Sequence, residues 1–496
     1  MEMLRNFPCF SLILSMGAAI VSSGLSGKMA RRLNTVLLMI ITLLSAGTLY
    51  LTFTTGVFYV YKMGRFSAPW GNEIRFGNLE AFMALFFCIV MLLSIWGGKK
   101  HLKKEISDFK ENLYYVLLNL LLSSLLALIY TNDLFTAYVF VEINTIAACG
   151  LIMIRENGHT LEAATRYMLM SLIGSGLLLF GLCILYDITG HLLMSNIKEQ
   201  VSILTETGEY QLPLTVAILF IGVGLAVKSA LFPFHAWLPD AYGYSTVSSA
   251  AILSSLVSKG YIFLLIKVFY RVIGFEVIRQ NEFINMLFIF GLIGMIFGSL
   301  SAIQENDIRR MIAFSSVAQI GYIYMGFGLG TEIGMVASVY HILSHAATKS
   351  MLFIAAVGLT DVSGQSKKFI DLTGAGYRNV VAGLTFTVGS LSMVGVPLFS
   401  GFISKILFAQ ACVGHAYKMM PTLICLAIST ILNAIYFMKT VVRIYTPVKS
   451  EYASLSWKKD IGYAAVCILF IVMNVLLGMN SEPIVELIRS GIQMFG

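Results

Sequence analysis

The sequence predicts an all-α polytopic membrane protein of about fourteen transmembrane helices, arranged as two inverted five-helix repeats. Composition is the first observation behind this. The 496 residues are 57% hydrophobic and only 12% charged, with a mean hydropathy of +0.82, whereas soluble domains carry about 25% charged residues. The second is a succession of apolar windows of about twenty residues, each long enough to cross a bilayer. The third is a pair of interrupted helices, the seventh and the twelfth, in corresponding places of the two halves. Such a pair is the sequence mark of repeated transporter architecture.

The spans fall near 8–25, 34–60, 78–97, 112–131, 134–154, 163–187, 212–232, 246–272, 283–303, 309–329, 333–359, 381–407, 420–444 and 459–479. The longest polar connections are roughly 61–77 and 188–211. The apolar N-terminus runs on into Lys28, Arg31 and Arg32, so it reads as a first span and not as a cleaved signal. This gives four expected units: residues 1–110 with the first three helices, 111–275 and 276–445 as the two repeats, and 446–496 with the last helix and tail. Each repeat holds an odd number of helices, so the second must be upside down relative to the first.

Loop charge predicts orientation. Connections after odd-numbered spans carry Lys28, Arg31, Arg32, Lys99, Lys100, Lys103, Lys104, Arg155, Arg309, Arg310, Lys367, Lys368, Arg378, Lys449, Lys458 and Lys459. Those after even-numbered spans are poorer in Lys and Arg, with Lys62, Arg65 and Arg75 as exceptions. The positive-inside rule puts the first set in the cytoplasm and both termini outside. The net charge of +8 therefore follows membrane topology, and nucleic acid is not an expected partner. The seven cysteines stand singly with no CxxC pair, which argues against disulfides, iron–sulfur clusters and cysteine zinc sites. Gly326, Gly328 and Gly330 end a membrane helix and follow no strand, so nucleotide binding is not expected. With no haem or flavin pattern either, the expected cofactor is none.

Against this background, buried charges carry the chemistry. A cation at bilayer depth costs at least ~2.5 kcal/mol, yet Lys228 follows unbroken hydrocarbon, and Pro233 and Pro239 break its helix. Glu142, Lys259, His341, His345, Lys349 and Lys405 repeat the offence in other spans. A series of such groups reads as an ion path. Glu142 is either a structural carboxylate or the group that controls proton affinity at Lys228. Desolvation disfavours the ammonium and a carboxylate favours it, so a lysine held between them can take up and release protons. Lys259 is equally central and would pass protons between the repeats, whereas Lys267 stands nearer an end and is expected to snorkel. His341, His345 and Lys349 recur every four residues along one helix face. HxxxH is also a zinc spacing, but no glutamate follows His341 and no third ligand is evident. The stripe is thus a proton relay or a structural polar seam, with no metal expected. His235, in a loop-like segment, is expected to be positional.

With those residues in hand, the chain resembles the antiporter-like subunits shared by respiratory complex I, Mrp-type sodium/proton antiporters and energy-converting membrane-bound hydrogenases. The resemblance runs from about 110 to 445. It rests on Lys228-Ser-Ala-Leu-Phe-Pro-Phe-His-Ala-Trp-Leu-Pro-Asp240-Ala, on Asp307 to Tyr322 with Arg309 where lysine is usual, on His341-x3-His345-x3-Lys349, and on Gly395-Val-Pro397-x3-Gly401-Phe-Ile-Ser-Lys405. It implies Glu142 and Lys228 as the first-repeat pair, Lys259 as connector, His341, His345 and Lys349 as relay, and Lys405 as the outer terminal site beside an acidic partner. It also implies a multi-pass subunit in the cytoplasmic membrane of a prokaryote. The subunit would move H⁺ or Na⁺ without redox chemistry of its own, among other membrane subunits that include further antiporter-like ones. The parent is expected to be a membrane redox complex; the nearest rival is a Mrp-type sodium/proton subunit with no redox partner, and readings from other classes are a non-pumping structural subunit and a solute permease. The sequence after Asp240 lacks the family's proline-bearing turn, and the chain ends soon after span fourteen. The stretch from Ala68 to Arg75 resembles the Mrp and hydrogenase branches.

Overall fold

A computed structural model describes residues 3–66, 71–448 and 460–495. Thirteen helices among them are long and apolar enough to cross a membrane, and the shorter Val380–Val394 completes the twelfth span. Polar residues at the loop junctions start several spans by accepting the otherwise unpaired first-turn N–H groups. Asp133 accepts from Thr136 N at 2.6 Å, Asn157 from Thr160 N at 3.0 Å, and Asp307 from the amides of Arg309 and Arg310 at 2.7 and 3.1 Å.

Both predicted interruptions are present. The seventh span is Gln211–Lys228, a turn, then Leu238–Tyr244; the twelfth is Val380–Val394, a turn, then Ser400–Cys412. Each turn holds one non-glycine residue in the left-handed region, Ala230 at φ 61° and Leu398 at φ 90°. Such backbone persists only where surrounding structure enforces it. Gly395, at φ 89°, is required twice over, because a Cβ there would come within 2.9 Å of the Lys405 stem.

The core surrounds the eighth, tenth and eleventh spans. Val247–Ile273 and all but the ends of Glu332–Asp361 are enclosed by other helices, while the outer spans keep apolar faces for lipid. The eighth span, read from sequence as a plain helix, contains two π-helical stretches, Leu253–Val257 and Val268–Ile273.

Three features depart from the sequence reading. The 61–77 connection contains an antiparallel ribbon, with Tyr59–Lys62 against Glu73–Phe76, so the chain is not purely helical. A helix at Met194–Thr207 occupies the other long connection, and Ser481–Gln493 follows the last span. All three are too short or too polar for a hydropathy window. The second span starts at Gly27, earlier than expected, because Arg31 is held by Glu111 at 3.1 Å within its first turns. Ala68, Pro69 and Trp70, the start of the branch-specific stretch, lie outside the described residues, as do Lys449, Lys458 and Lys459.

The basic loops collect on one face. There His101 pairs closely with Asp361, Lys100 with Asp460 at 3.1 Å, and Arg310 with both Asp240 and Glu305. Arg309 closes the turn that lacks a proline: its guanidinium donates to the carbonyls of Ser245 at 2.7 Å and Tyr242 at 3.3 Å. Thr246 then caps the eighth span by accepting from Ser249 N. Lys367 donates to Gly243 O at 3.1 Å on the same face. Burial, with Arg309 next in weight, pushes its ammonium down to about 7.

Candidate functional site

Lys228 is the last residue of the first half of the seventh span, and it is buried to 1% exposure. A helix C-terminus carries partial negative charge and favours a cation. Space for the side chain comes from Gly174 on the sixth span, where a Cβ would lie 3.0 Å from the Lys228 stem. The Nζ donates to Thr145 Oγ1 at 2.8 Å and lies 3.8 Å from Glu142 Oε1. Glu142 and Thr145 are three residues apart on one helix and therefore share a face. The Thr145 hydroxyl already donates to Val141 O at 2.9 Å, so its oxygen meets the lysine as an acceptor. Glu142 keeps 27% of its side chain exposed. The lysine thus sits on a neutral oxygen with the carboxylate one step away.

Sequence reasoning missed the scaffold around this pair. Tyr261 donates to Asn144 Oδ1 at 3.0 Å, Asn144 donates to Ser124 Oγ at 2.8 Å, and the Tyr261 ring lies 5.6 Å from Lys228 Nζ. Asn144, between Glu142 and Thr145, was the available signal. On the ion-path reading of the sequence, Thr145→Val should lower ion flux by about tenfold, because Thr145 holds Lys228 away from Glu142 with one charge-assisted hydrogen bond worth ~1.4 kcal/mol. Thr145→Ser should restore it. Flux measured in proteoliposomes checks this, and equal flux in Val and Ser variants would remove Thr145 from the mechanism.

Lys259 is fully enclosed. Its Nζ donates to Ser254 O, inside the first π-helical stretch, and to Ser258 Oγ at 3.0 Å. π-Bulges recur at functional sites. Ser254 in turn meets Ser316 of the tenth span at 3.2 Å. The preceding residue, Ser315, accepts a close hydrogen bond from Lys349, which also donates to Ile312 O at 3.0 Å. Ser315 and Ser316, adjacent on the tenth span, thus lie between Lys259 and Lys349.

From Lys349 the stripe continues along the eleventh span. His345 and His341 have ring centroids 6.1 Å apart. His341 Nδ1 meets Ser404 Oγ at 3.0 Å, while His341 Nε2 and both ring nitrogens of His345 are buried without a hydrogen-bond partner. Tyr322 stacks on His341 at 5.4 Å and lies 6.0 Å from Lys405 Nζ. Lys405 donates to Val394 O at 2.6 Å and Thr430 Oγ1 at 2.9 Å. Val394 ends the first half of the twelfth span, so Lys405, like Lys228, meets a half-helix C-terminus. The acidic partner expected beside Lys405 is not there: among the described residues no carboxylate lies within ion-pairing distance of it.

Lys267 does not snorkel. It is fully buried and donates to the carbonyls of Leu128, Ile129 and Thr131, at the C-terminal end of the fourth span. Its place near the end of the span suggests snorkelling, but protein covers that end. Arg271 lies beyond it, paired closely with Glu80 and stacked on Phe495 at 4.1 Å. His235 is half-buried and stacked on Phe232 at 5.3 Å, away from the stripe. No cluster of metal-ligating side chains occurs among the described residues.

Lys228 and Lys405 at half-helix ends, and Lys259 and Lys349 inside their helices, are held by hydroxyls and carbonyls, an arrangement able to hold and pass protons. Comparison with known proteins places the fold. The family model for the NADH:quinone oxidoreductase/Mrp antiporter transmembrane region matches residues 131–432. The NADH-quinone oxidoreductase subunit N of Desulforudis audaxviator is 30% identical over 417 residues, covering 83% of this chain and 80% of that one. A chain of the membrane-bound sulfane sulfur reductase, an archaeal respiratory membrane complex, superposes with a TM-score of 0.85 at 25% identity, covering 100% of this chain and 97% of its own. A chain of the Mrp complex from Dietzia sp. matches the fold with a TM-score of 0.85 at 20% identity, over 99% and 97% of the two chains. The protein belongs to the NADH:quinone oxidoreductase/Mrp antiporter family of multi-pass, antiporter-like membrane subunits.

Proposed function

We propose that this chain carries protons across the cytoplasmic membrane of a prokaryote as one subunit of a larger redox-driven complex, with no redox chemistry of its own. The supporting observation is the make-up of its buried axis. Lys228, Lys259, Lys349 and Lys405 are held by carbonyls and hydroxyls, His341 and His345 stand between them, and Glu142 is the one carboxylate within ion-pairing distance of any of these lysines among the described residues. Coulomb repulsion at low dielectric makes a run of ammonium groups a poor route for Na⁺, whereas each amine can take and release a proton. Sodium exchange of the Mrp type is the reading this weighs against. The relative that is a subunit of an NADH-quinone oxidoreductase supports a redox-driven partner complex. A purely structural subunit would have no use for so many buried ionisable groups.

In this reading, a charge or conformational change in a neighbouring subunit reaches the partly exposed Glu142. Lys228 then shifts between Thr145 and the carboxylate. Drawn to Glu142 it stays protonated; released to neutral oxygens it gives up its proton toward Lys259. The positive-inside rule puts the basic face in the cytoplasm and both termini outside. Residues 111–275 and 276–445 act as the two half-paths.

Glu142 variants test the proposal. Glu142→Asp should keep partial proton flux and Glu142→Gln should lose most of it, measured across pH 6–9 in vesicles with and without Na⁺. Equal flux in Gln and wild type would defeat the charge argument, and flux that depends wholly on Na⁺ would select sodium exchange.

A further inference from the structure

A cleft of about 350 Å³ opens on the basic face between the ninth, tenth and thirteenth spans. Glu305, Lys439 and Arg443 stand at its mouth, with Thr440 and Tyr436 deeper, at 2% and 3% exposure. The thirteenth span runs toward the basic face and ends at Ile444, so Tyr436 lies about 12 Å inward at 1.5 Å per residue.

The inner end of the cleft lies against the Lys349 site from two sides. Met311 lines the cleft, and the next residue, Ile312, gives its carbonyl to Lys349 Nζ at 3.0 Å. Tyr436 lines the opposite wall, and the next residue, Phe437, has its ring centroid 5.9 Å from the same nitrogen. The Tyr436 hydroxyl is bonded to Asn433, whose amide nitrogen is buried without a partner. Lys349 otherwise sits in the enclosed part of its helix. A polar cleft of this size has room for several waters at about 30 Å³ each, and a packing defect between lipid-facing helices would instead be lined by hydrocarbon.

We infer that this cleft is a water-filled inlet through which Lys349 exchanges protons with the basic face, with Tyr436 as the positioning residue at its inner end. The inference rests on the proton-translocation reading above. A proton delivered by hydronium or a buffer acid at the mouth passes along the cleft waters to the neutral Lys349 amine, each water regaining the proton that it gives up. The inlet and Lys259 act in series: the charge handed on from Lys259 sets when Lys349 takes up a proton from the cleft, so loss of either stops the flux.

The test uses the whole complex in oriented vesicles. Thr440→Cys, near in volume to the native residue, is exposed to a charged, membrane-impermeant methanethiosulfonate from either face, and the modified peptide is read by mass spectrometry. Modification from the basic face alone is expected. In parallel, Thr440→Trp should lower proton flux at least tenfold by filling the cleft, whereas Val442→Trp, on the exposed side of the same helix, should not. No modification, or modification from the opposite face only, overturns the inlet, as does wild-type flux in Thr440→Trp. If Thr440→Trp fails to assemble, Thr440→Cys labelling decides alone. If Lys228→Ala retains full flux, the translocation reading has failed and the inlet with it; if Lys228→Ala is dead and Thr440→Trp conducts normally, the inlet alone has failed.

Discussion

Lys228→Ala is expected to abolish proton translocation while the complex still assembles. The side chain ends a half-helix and spans the gap between Thr145 at 2.8 Å and Glu142 at 3.8 Å. Removing the amine leaves no group there that can carry a proton past the break at Ala230. A hundredfold loss corresponds to about 2.7 kcal/mol of barrier, less than the cost of placing a proton on water in a dehydrated helix interior. Folding should survive, because Ala at the end of a helix is well tolerated and removing the lysine also removes a buried cation. Flux per assembled complex, measured alongside native gels, gives the answer. Near-normal flux in assembled complexes would show that the path does not pass through Lys228.

Lys405→Leu is expected to stop flux nearly as completely. Its Nζ rests on Val394 O and Thr430 Oγ1, and in the proposed path it is the last amine before the outer face. Leucine fills similar volume but cannot titrate. Lys405→Glu should retain a part of the flux, since a carboxyl at that depth also binds and releases protons. It should do less well than lysine, because Val394 O offers an acceptor and a carboxylate wants a donor. Proton release on the side opposite the basic loops is the quantity to measure. If Lys405→Leu pumps as wild type does, the exit lies elsewhere and the twelfth-span break is structural.

The sequence was most informative where burial and charge conflict. Fourteen spans, the two broken helices and the resemblance to antiporter-like subunits were all legible, because a bilayer forces apolar length and makes every charge within it conspicuous. Less legible were the neutral partners. Thr145, Asn144, Ser254 and Ser315 are ordinary residues in membrane helices, and only packing shows that they hold the lysines. The expected acid beside Lys405 failed for the same reason: backbone carbonyls at a half-helix end do its work, and carbonyls leave no mark in a sequence. The burial of Lys267 is not legible either, because the Met194–Thr207 helix and Phe495 cover that end of the eighth span, a tertiary fact that hydropathy cannot express. The π-helical turns of the eighth span were likewise invisible, since they alter hydrogen-bond register without altering composition.

In the proposed path both repeats are coupled at Lys259, which lies beside Ser254 and Ser316, with Ser315 and Lys349 next to them. The measurement is proton release by the intact complex in sodium-free proteoliposomes, comparing wild type with Lys259→Met. A loss of at least tenfold is expected, with assembly unchanged. Wild-type proton release from assembled Lys259→Met complexes would contradict it.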